Sequence, residues 1–398
     1  MQSRLLIAKR EYLFEEEIGF KLTGSLIDCF DYMNSNTLHP MMVAGLVFWL
    51  SSAALCVAVV RGAPTEGFVM VPGTSDHIAI TDCVRVIRDR DTGVARVDRV
   101  LHNARGYGWD APGARIRFRT DSASVEVHLI FSAKHIGPAR NSVGFYRIDG
   151  QANDGWRFTR PKGATLPGDD TLNLVLPVPT GAGFHDYELI LPYGDSVDLK
   201  GVTVVPTARW ETPAARPKTR WVAFGDSVTH GFTSSAVVHS YPFQVGEMMN
   251  WEVINAGIGG RGCMASDGAL LAEMNADVFS IMIGVNNWQG GTGLDAFRAQ
   301  MTGLVERLMK GRPRALIYVI TPLWVAPSWK PATATHSLED YRIIIREVVA
   351  WFATERLHVI EGPSLIDEDS ALFDKVSVHP NDAGFAQMAD RLVKTFNR

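Results

Sequence analysis

The pattern of apolar and polar positions divides the chain into three regions of different periodicity. Residues 43–60 form an uninterrupted run of 18 uncharged, mostly apolar positions. From about residue 76 to residue 206, apolar and polar residues alternate with a period of two, which is typical of half-buried strands. Residues 220–398 instead alternate short apolar runs with longer segments of helical period. The chain is therefore predicted to contain a hydrophobic N-terminal segment, an all-β region and an α/β region, in that order.

The alternation in residues 76–206 predicts an antiparallel β-sandwich. Isoleucine and phenylalanine alternate with arginine in residues 115–119, and residues 172–176 alternate in the same way. Clusters of Pro, Gly and Asp separate these runs, as expected for strands joined by turns. No nucleophile–base pair is recognisable in this half, and His128 and His185 are interpreted as strand-surface residues.

The C-terminal half predicts a doubly wound parallel sheet. Residues 207–219, with prolines at 213 and 217, are interpreted as a linker. Five strands with intervening helices in residues 220–398 are typical of the α/β doubly wound pattern. The predicted strands are 221–224, 252–255, 278–283, 316–320 and 357–360, and the predicted helices are 241–250, 294–310, 338–354 and 383–396.

The apolar segment at the N-terminus predicts export. Residues 43–60 are just long enough to span a bilayer, and residues 41–63 also fit a signal peptide followed by a small-residue cleavage site. A buried core helix is the alternative. Residues 1–40 have no apolar stripe and form either a leader of unclear role or an over-extended translation start ahead of Met41 or Met42. We expect a periplasmic, extracellular or membrane-anchored protein, with membrane contact only through this segment.

Four short blocks stand out in the C-terminal half. Three follow apolar, strand-like runs, where parallel strands present ligand sites at their carboxyl ends, and the fourth is a histidine on a loop just before the final helix. The blocks are Gly225-Asp226-Ser227, Asn255-Ala256-Gly257-Ile258-Gly259-Gly260, Gly284-Val285-Asn286-Asn287 and Val378-His379-Pro380-Asn381-Asp382. In order and in position relative to the strands, this set resembles the SGNH (GDSL-type) hydrolase family over residues 220–398. The resemblance implies a flavodoxin-like three-layer α/β/α domain with carboxylic ester hydrolase activity.

The resemblance also implies a role for each site residue. Ser227 is expected to be the nucleophile, and His379 the base that takes its proton and returns it to the leaving alcohol. The oxyanion hole would consist of the backbone N–H groups of Ser227 and Gly260 and the side-chain amide of Asn286. From the residues alone, Asn287 could replace Asn286, the glycines could form an ordinary turn, and His379 could merely precede a helix.

The sequence departs from the family pattern in one place. Val376 occupies the position, three residues before His379, where the family has an aspartate that orients the imidazole. Another acid could substitute, with Asp374 the nearest; a Ser–His dyad could work with a backbone carbonyl; or the enzyme could be impaired.

Composition excludes several classes of function. Among 398 residues, 46% are apolar and 21% are charged, and the net charge of −4 provides no basic field for nucleic acid. The four cysteines have neither metal-ligand spacing nor the density of a disulfide framework, and no metal or nucleotide motif is present. We therefore expect no metal, no cofactor and no nucleic-acid partner.

A β-sandwich ahead of an SGNH domain is similar to the layout of carbohydrate O-acetylesterases. This similarity implies a serine esterase that removes small acyl groups, acetyl first, from a carbohydrate or another hydroxylated substrate. An acyltransferase using the same serine is the enzymatic alternative. A catalytically impaired carbohydrate-binding protein is the non-enzymatic one.

Overall fold

The computed structural model describes residues 67–98, 110–131, 143–152, 155–161, 170–329, 331–375 and 378–397. The predicted leader (1–40) and the signal peptide or anchor (41–63) lie outside these residues, as does Val376. Within the described ranges, no helix combines the length and the hydrophobicity needed to cross a membrane. All described residues belong to one compact unit, 59–398.

The N-terminal half is a sandwich of two antiparallel sheets. In the described residues one sheet contains β1 (Val69–Pro72), β3 (Arg85–Arg88), β4 (Ala95–Asp98), β6 (Val125–Phe131), β9 (Asp170–Leu176) and β11 (Val197–Val204). The other contains β2 (Ile78–Thr81), β5 (Arg115–Thr120), β7 (Val143–Ile148), β8 (Arg157–Thr159), β10 (His185–Ile190) and β12 (Trp210–Glu211). Apolar residues of β5 and β6, from opposite sheets, share one buried core, which confirms the predicted antiparallel sandwich.

The stretch between the halves remains in contact with the sandwich. Residues 207–219, predicted as a linker, contain β12, which pairs with β5 through Trp210 opposite Thr120. Further along, Arg216 donates to Asp82 at 2.7 Å. The chain therefore enters the second half from a fixed position.

The C-terminal half is built on a five-stranded parallel sheet. Its strands are β13 (Arg220–Gly225), β14 (Glu252–Gly257), β15 (Val278–Met282), β16 (Leu316–Ile320) and β17 (Leu357–Ile360). They are arranged in the order β14-β13-β15-β16-β17, which is the flavodoxin-like order. The α-helices described in this half are α1 (Ser227–His230), α2 (Tyr241–Met249), α3 (Asp267–Glu273), α4 (Val285–Gln289), α5 (Leu294–Gly311), α6 (Leu338–Phe352) and α7 (Asp382–Phe396).

Helices cover both faces of this sheet because β13, one of its inner strands, is apolar on both sides. In β13, Val222 and Phe224 lie in the core cluster shared with α5 and α6. Trp221 and Ala223 point the opposite way, into the cluster shared with α2 and α7. The predicted three-layer α/β/α architecture is thus confirmed, with the carboxyl end of β13 between its neighbours β14 and β15.

Candidate active site

Ser227 is held at the carboxyl end of β13 by the tight turn into α1. The carboxylate of Asp226 accepts the N–H of Val228 at 2.9 Å and caps the helix. A Cβ on Gly225 would lie 2.0 Å from Thr229 Oγ1, so only glycine allows the strand and the helix to meet this closely. The hydroxyl is consequently presented at the mouth of the sheet, at a fixed position relative to β13.

The neighbouring strand β14 fixes the same helix from the side. Asn255 Nδ2 donates to the carbonyl of Thr229 at 2.9 Å, and Asn255 Oδ1 accepts the N–H of Gly257 at 3.0 Å. A Cβ on Gly257 would lie 2.2 Å from the backbone nitrogen of His230. This second predicted block thus supports the helix that carries Ser227.

His379 lies far along the chain from Ser227, on a loop whose two ends are joined by hydrogen bonds. Phe373 and Pro380 form an isolated antiparallel bridge, and the N–H of Asp374 donates to the carbonyl of His379 at 2.9 Å. The side chain of Asn381 then caps α7 by accepting the N–H of Gly384 at 3.1 Å. The loop brings His379 Nε2 to 2.8 Å from the Oγ of Ser227, a residue 152 positions earlier.

Ser227 and His379 share a small pocket of about 190 Å³. The apolar and aromatic part of the pocket wall is formed by Tyr193, Phe232 and Val378. The remaining lining residues are Gly259, Gly260, Asn286 and Gln289. All four residues predicted for the site (Ser227, Gly260, Asn286 and His379) therefore line one cavity.

The two adjacent asparagines have different environments. Asn286 lines the pocket, and one of its amide hydrogens is donated to the carbonyl of Arg261 at 3.1 Å. Asn287 is buried, and its Oδ1 accepts the N–H of Cys263 at 2.8 Å. Because an amide has two N–H donors, Asn286 keeps one for a ligand, while Asn287 holds the 261–263 turn in place.

Burial sets the protonation of the two titratable side chains nearest Ser227. Desolvation lowers the pKa of His379 to about 4, partly opposed by the negative charge of Asp374, so the imidazole is neutral at pH 7. Burial likewise raises the pKa of Asp226 to about 7, although its hydrogen bond from Val228 acts in the opposite direction. A neutral imidazole can accept the proton of the serine hydroxyl.

The acid that accompanies His379 in the described residues is Asp374. Lys375, which follows it, has a left-handed backbone (φ 53°). The hydrogen bond from Asp374 N–H to the His379 carbonyl joins the two ends of this turn. The family-pattern position, Val376, lies outside the described residues, so the three alternatives given for it (a substitute acid, a Ser–His dyad or an impaired enzyme) stay as predictions.

Another serine–histidine contact lies outside the pocket. Ser235 Oγ and His239 Nδ1 are 2.6 Å apart, and the carboxylate of Asp382 lies 3.4 Å from the same nitrogen. His239 and Asp382 are both about half exposed. This trio stabilises the 235–239 segment at the surface.

Residues from the sandwich also reach the pocket, which the sequence did not indicate. Tyr193, in the loop between β10 and β11, lines the cavity. His230, which had no predicted role, is bound by Asp110 of the sandwich with Nε2 2.8 Å from Oδ1. No motif or period marks these residues, because the contact joins positions 120 residues apart. His128 and His185 lie elsewhere in the sandwich and bond to neighbouring side chains.

In the parts of the chain that the structure describes, no group of three His, Cys, Asp or Glu side chains could hold a metal ion.

Comparisons with known proteins agree with the sequence blocks and the fold. Residues 223–387 match the profile of the GDSL-like lipase/acylhydrolase family. No curated protein matches the chain.

Solved structures share the fold over both halves of the chain. A salicylyl-acyltransferase from a tetracycline biosynthetic pathway superposes with a TM-score of 0.68 at 20% identity, covering 84% of this chain and 99% of its own. A putative GDSL-like lipase from Bacteroides ovatus gives a TM-score of 0.63 at 19% identity, with 83% of this chain and 97% of its own covered. A family two carbohydrate esterase from Cellvibrio japonicus gives 0.61 at 15% identity, with 83% and 97% covered.

Proposed function

Residues 223–387 are a GDSL-like lipase/acylhydrolase domain of the SGNH type, and on that premise we propose that this protein is a serine esterase for small acyl esters of a carbohydrate or similar hydroxylated substrate. The observation that carries the proposal is the 2.8 Å contact between Ser227 Oγ and His379 Nε2 inside a pocket. A serine hydroxyl becomes a useful nucleophile only when a base takes its proton, and this distance is within the range for that transfer.

The proposed reaction proceeds through an acyl-enzyme. As Ser227 Oγ attacks the ester carbonyl, its proton passes to His379 Nε2 and the carbonyl oxygen becomes an oxyanion. Collapse of this intermediate breaks the bond to the alcohol, which leaves with the proton from His379. Water then repeats the sequence on the acyl-enzyme, with His379 again as base, and releases the carboxylic acid and free Ser227.

Three donors are proposed to stabilise the oxyanion: the backbone N–H groups of Ser227 and Gly260, and the Nδ2 of Asn286. Gly260 has a left-handed backbone (φ 73°) and no side chain to obstruct an approaching substrate. Removing one such donor typically costs about 2.7–4 kcal/mol of transition-state stabilisation, so Asn286 alone would account for a large part of the rate.

The size of the pocket supports a small acyl group. The acyl carbon must bond to Ser227 Oγ, so the acyl group has to enter this pocket of about 190 Å³. Sites for drug-sized ligands are larger, about 300–1,000 Å³. Acetyl is therefore the first acyl group to test. The carbohydrate part of the proposal rests on the sandwich-plus-SGNH layout, which the family two carbohydrate esterase from Cellvibrio japonicus shares in fold.

We further propose that the protein acts after export. This proposal rests on the uncharged run at residues 43–60 in the sequence. Comparison of the N-terminal residue of the mature protein with that of the precursor would test it, since cleavage near residue 63 is expected for a signal peptide.

Hydrolysis of p-nitrophenyl acetate by wild type and by Ser227→Ala tests the catalytic proposal. We expect Ser227→Ala to lower kcat by at least about a thousandfold, because the acyl-enzyme cannot form. Ser235→Ala is the matched control, since it removes a serine hydroxyl that contacts a histidine outside the pocket. Equal slow hydrolysis by wild type and Ser227→Ala would mean that the chain is not a serine esterase. Products formed with added alcohol acceptors distinguish hydrolysis from acyl transfer.

A further inference from the structure

The loop between β10 and β11 is buried along its whole length. Residues 191–196 are all buried, and Tyr193 is 1% exposed. Connecting loops usually run over the surface, because a buried loop must find partners for its backbone polar groups. This one is anchored at its start, where Leu191 N–H donates to the carbonyl of Ala114 at 2.8 Å. The loop also contacts the C-terminal half, where Tyr193 packs on His230 of α1 and lines the catalytic pocket.

A buried hydrogen-bonded pair, Asp110 and His230, fixes this loop against the helix that carries the nucleophile. Asp110 Oδ1 and Oδ2 lie 2.8 and 2.9 Å from His230 Nε2. The same Oδ2 accepts the N–H of Gly194 at 2.6 Å. The side chains of His230 and Asp110 are only 2% and 4% exposed. One carboxylate of the sandwich therefore binds both the residue after Tyr193 and the last residue of α1.

The ring of Tyr193 packs directly on this pair. Its centroid lies 4.4 Å from that of the His230 imidazole, in a tilted arrangement. Burial opposes ionisation of Asp110, but the charge and hydrogen bond of His230 hold its pKa below the usual value. The lowered pKa keeps Asp110 ionised, and a hydrogen bond to a buried carboxylate is stronger than one between neutral groups.

We propose that Tyr193 is a specificity-determining residue that limits the length of the acyl group bound to Ser227, and that the Asp110–His230 pair positions its ring. This inference rests on the esterase function proposed above. The acyl group must lie in the pocket next to Ser227 Oγ, and among the described residues of the N-terminal half it is Tyr193 that lines this pocket. The sandwich is therefore a part of the substrate site.

The test is a series of p-nitrophenyl esters with acetyl, butyryl and hexanoyl groups. We expect Tyr193→Ala to raise the butyrate-to-acetate ratio of kcat/KM roughly tenfold or more, because each added methylene changes pocket discrimination by about that factor. Tyr193→Phe keeps the ring, so the ratio should stay within about threefold of wild type. Tyr146→Ala is the matched control, since Tyr146 is a buried sandwich tyrosine that stacks on Trp156 away from the pocket.

The positioning role of the Asp110–His230 pair is tested by the same butyrate-to-acetate ratio. Asp110→Ala should shift it in the direction of Tyr193→Ala, and Asp110→Asn, which keeps an acceptor for Gly194 and His230, should restore it. Because an unpaired buried histidine can unfold the protein, the double variant Asp110→Ala/His230→Ala is measured too, with thermal melting as the check on folding.

The outcomes separate the inference from the function on which it rests. If Ser227→Ala loses hydrolysis but Tyr193→Ala keeps the wild-type ratio, the inference on Tyr193 is overturned and the esterase stands. If the folded Asp110 variants keep the wild-type ratio while Tyr193→Ala changes it, the positioning role is overturned. If Ser227→Ala hydrolyses as fast as wild type, the proposed function itself fails.

Discussion

His379 combines two properties that a general base needs. Its Nε2 faces the serine hydroxyl at 2.8 Å, and burial keeps its pKa near 4, so that the imidazole is unprotonated at neutral pH. The same burial disfavours the imidazolium that forms during the reaction, and the negative charge of Asp374 partly offsets this cost. The pKa of His379 therefore reflects a balance between desolvation and one nearby carboxylate.

The acid side of the pH profile should report this pKa. Because the folded pKa lies below the usual value of about 6.5, we expect kcat/KM to stay high at pH 6 and to fall as the pH drops through about 4. Initial rates with p-nitrophenyl acetate, measured across the acid pH range, locate this fall in kcat/KM. An inflection near 6.5 would contradict the proposed environment of the imidazole.

Removal of the carboxylate at 374 should move the same inflection. Asp374→Asn deletes the charge that raises the pKa of His379, so the inflection should shift to lower pH and kcat should fall. Val376→Asp in this background supplies an acid at the family-pattern position and should restore part of the rate. Asp390→Asn, on the exposed pair with Lys394, is the control. A rate and an inflection that Asp374→Asn leaves unchanged would exclude Asp374 as the orienting acid.

Residues that lie in contiguous motifs were predictable from sequence, and the others were not. Ser227, Gly260 and Asn286 follow strand-like runs, where parallel-sheet geometry collects ligand sites, and the SGNH resemblance adds His379, which lies well after β17. Tyr193 follows a strand of the other half, and its approach depends on how two sheets dock, which no local pattern encodes.

The element bounds show which patterns carry structural information. The predicted strands 316–320 and 357–360 have the bounds of β16 and β17, because continuous apolar runs between polar residues mark a buried parallel strand. The helices α1, α3 and α4 were not predicted. They contain four, seven and five residues, which is too short to repeat a helical period convincingly.

The short helix α1 depends on the glycine at the end of β14. Gly257→Ala would place a Cβ 2.2 Å from His230 N and 2.6 Å from Thr229 C, and backbone atoms cannot move as easily as a side chain. We expect α1 to shift and kcat to fall roughly a hundredfold, since misplacement by about 1 Å can cost that much.

Gly293→Ala is the control for this substitution. A Cβ at Gly293 would meet nothing within 4 Å, and the residue lies at the N-cap of α5, away from Ser227. We expect near-wild-type kcat for Gly293→Ala. Wild-type kcat for Gly257→Ala, measured on folded protein, would mean that α1 tolerates the displacement.

At the scale of the whole molecule, a buried arginine links the two halves. Arg115 of β5 donates to Glu188 of β10 at 2.9 Å and to Glu247 of α2 at 2.5 Å. Its guanidinium also lies 5.0 Å from the ring centre of Phe243. Asp82 lies 3.6 Å from the same guanidinium and accepts the N–H of Val253 in β14 at 3.1 Å. The interface is thus a charged network around an apolar contact.

Arg115→Ala should destabilise the protein more than removal of a surface arginine. The Arg115 side chain is 5% exposed, and its loss removes charge-assisted hydrogen bonds to Glu188 and Glu247, each typically worth about 1.5–3 kcal/mol. Arg298→Ala breaks an ion pair with Glu347 whose members are 45% and 51% exposed, and should cost less than about 1 kcal/mol. Denaturant unfolding of both variants gives the comparison, and equal losses would contradict it.

The contacts between the halves also determine how many unfolding transitions we expect. The connecting stretch 207–219 is bound to the sandwich through β12 and Arg216, and the sandwich is bound to α1 and α2 through Asp110 and Arg115. We therefore expect one cooperative unfolding transition for residues 59–398 rather than two.

The buried loop that carries Tyr193 has a further consequence. The reacting groups come from the edge of one sheet, whereas this wall of the cavity comes from a loop encoded some thirty positions earlier in the chain. On the proposed role of Tyr193, substitutions in residues 191–196 could retune which esters are accepted while the strands bearing Ser227 and His379 stay untouched. Selectivity and chemistry would then be free to diversify separately, both in evolution and in laboratory libraries.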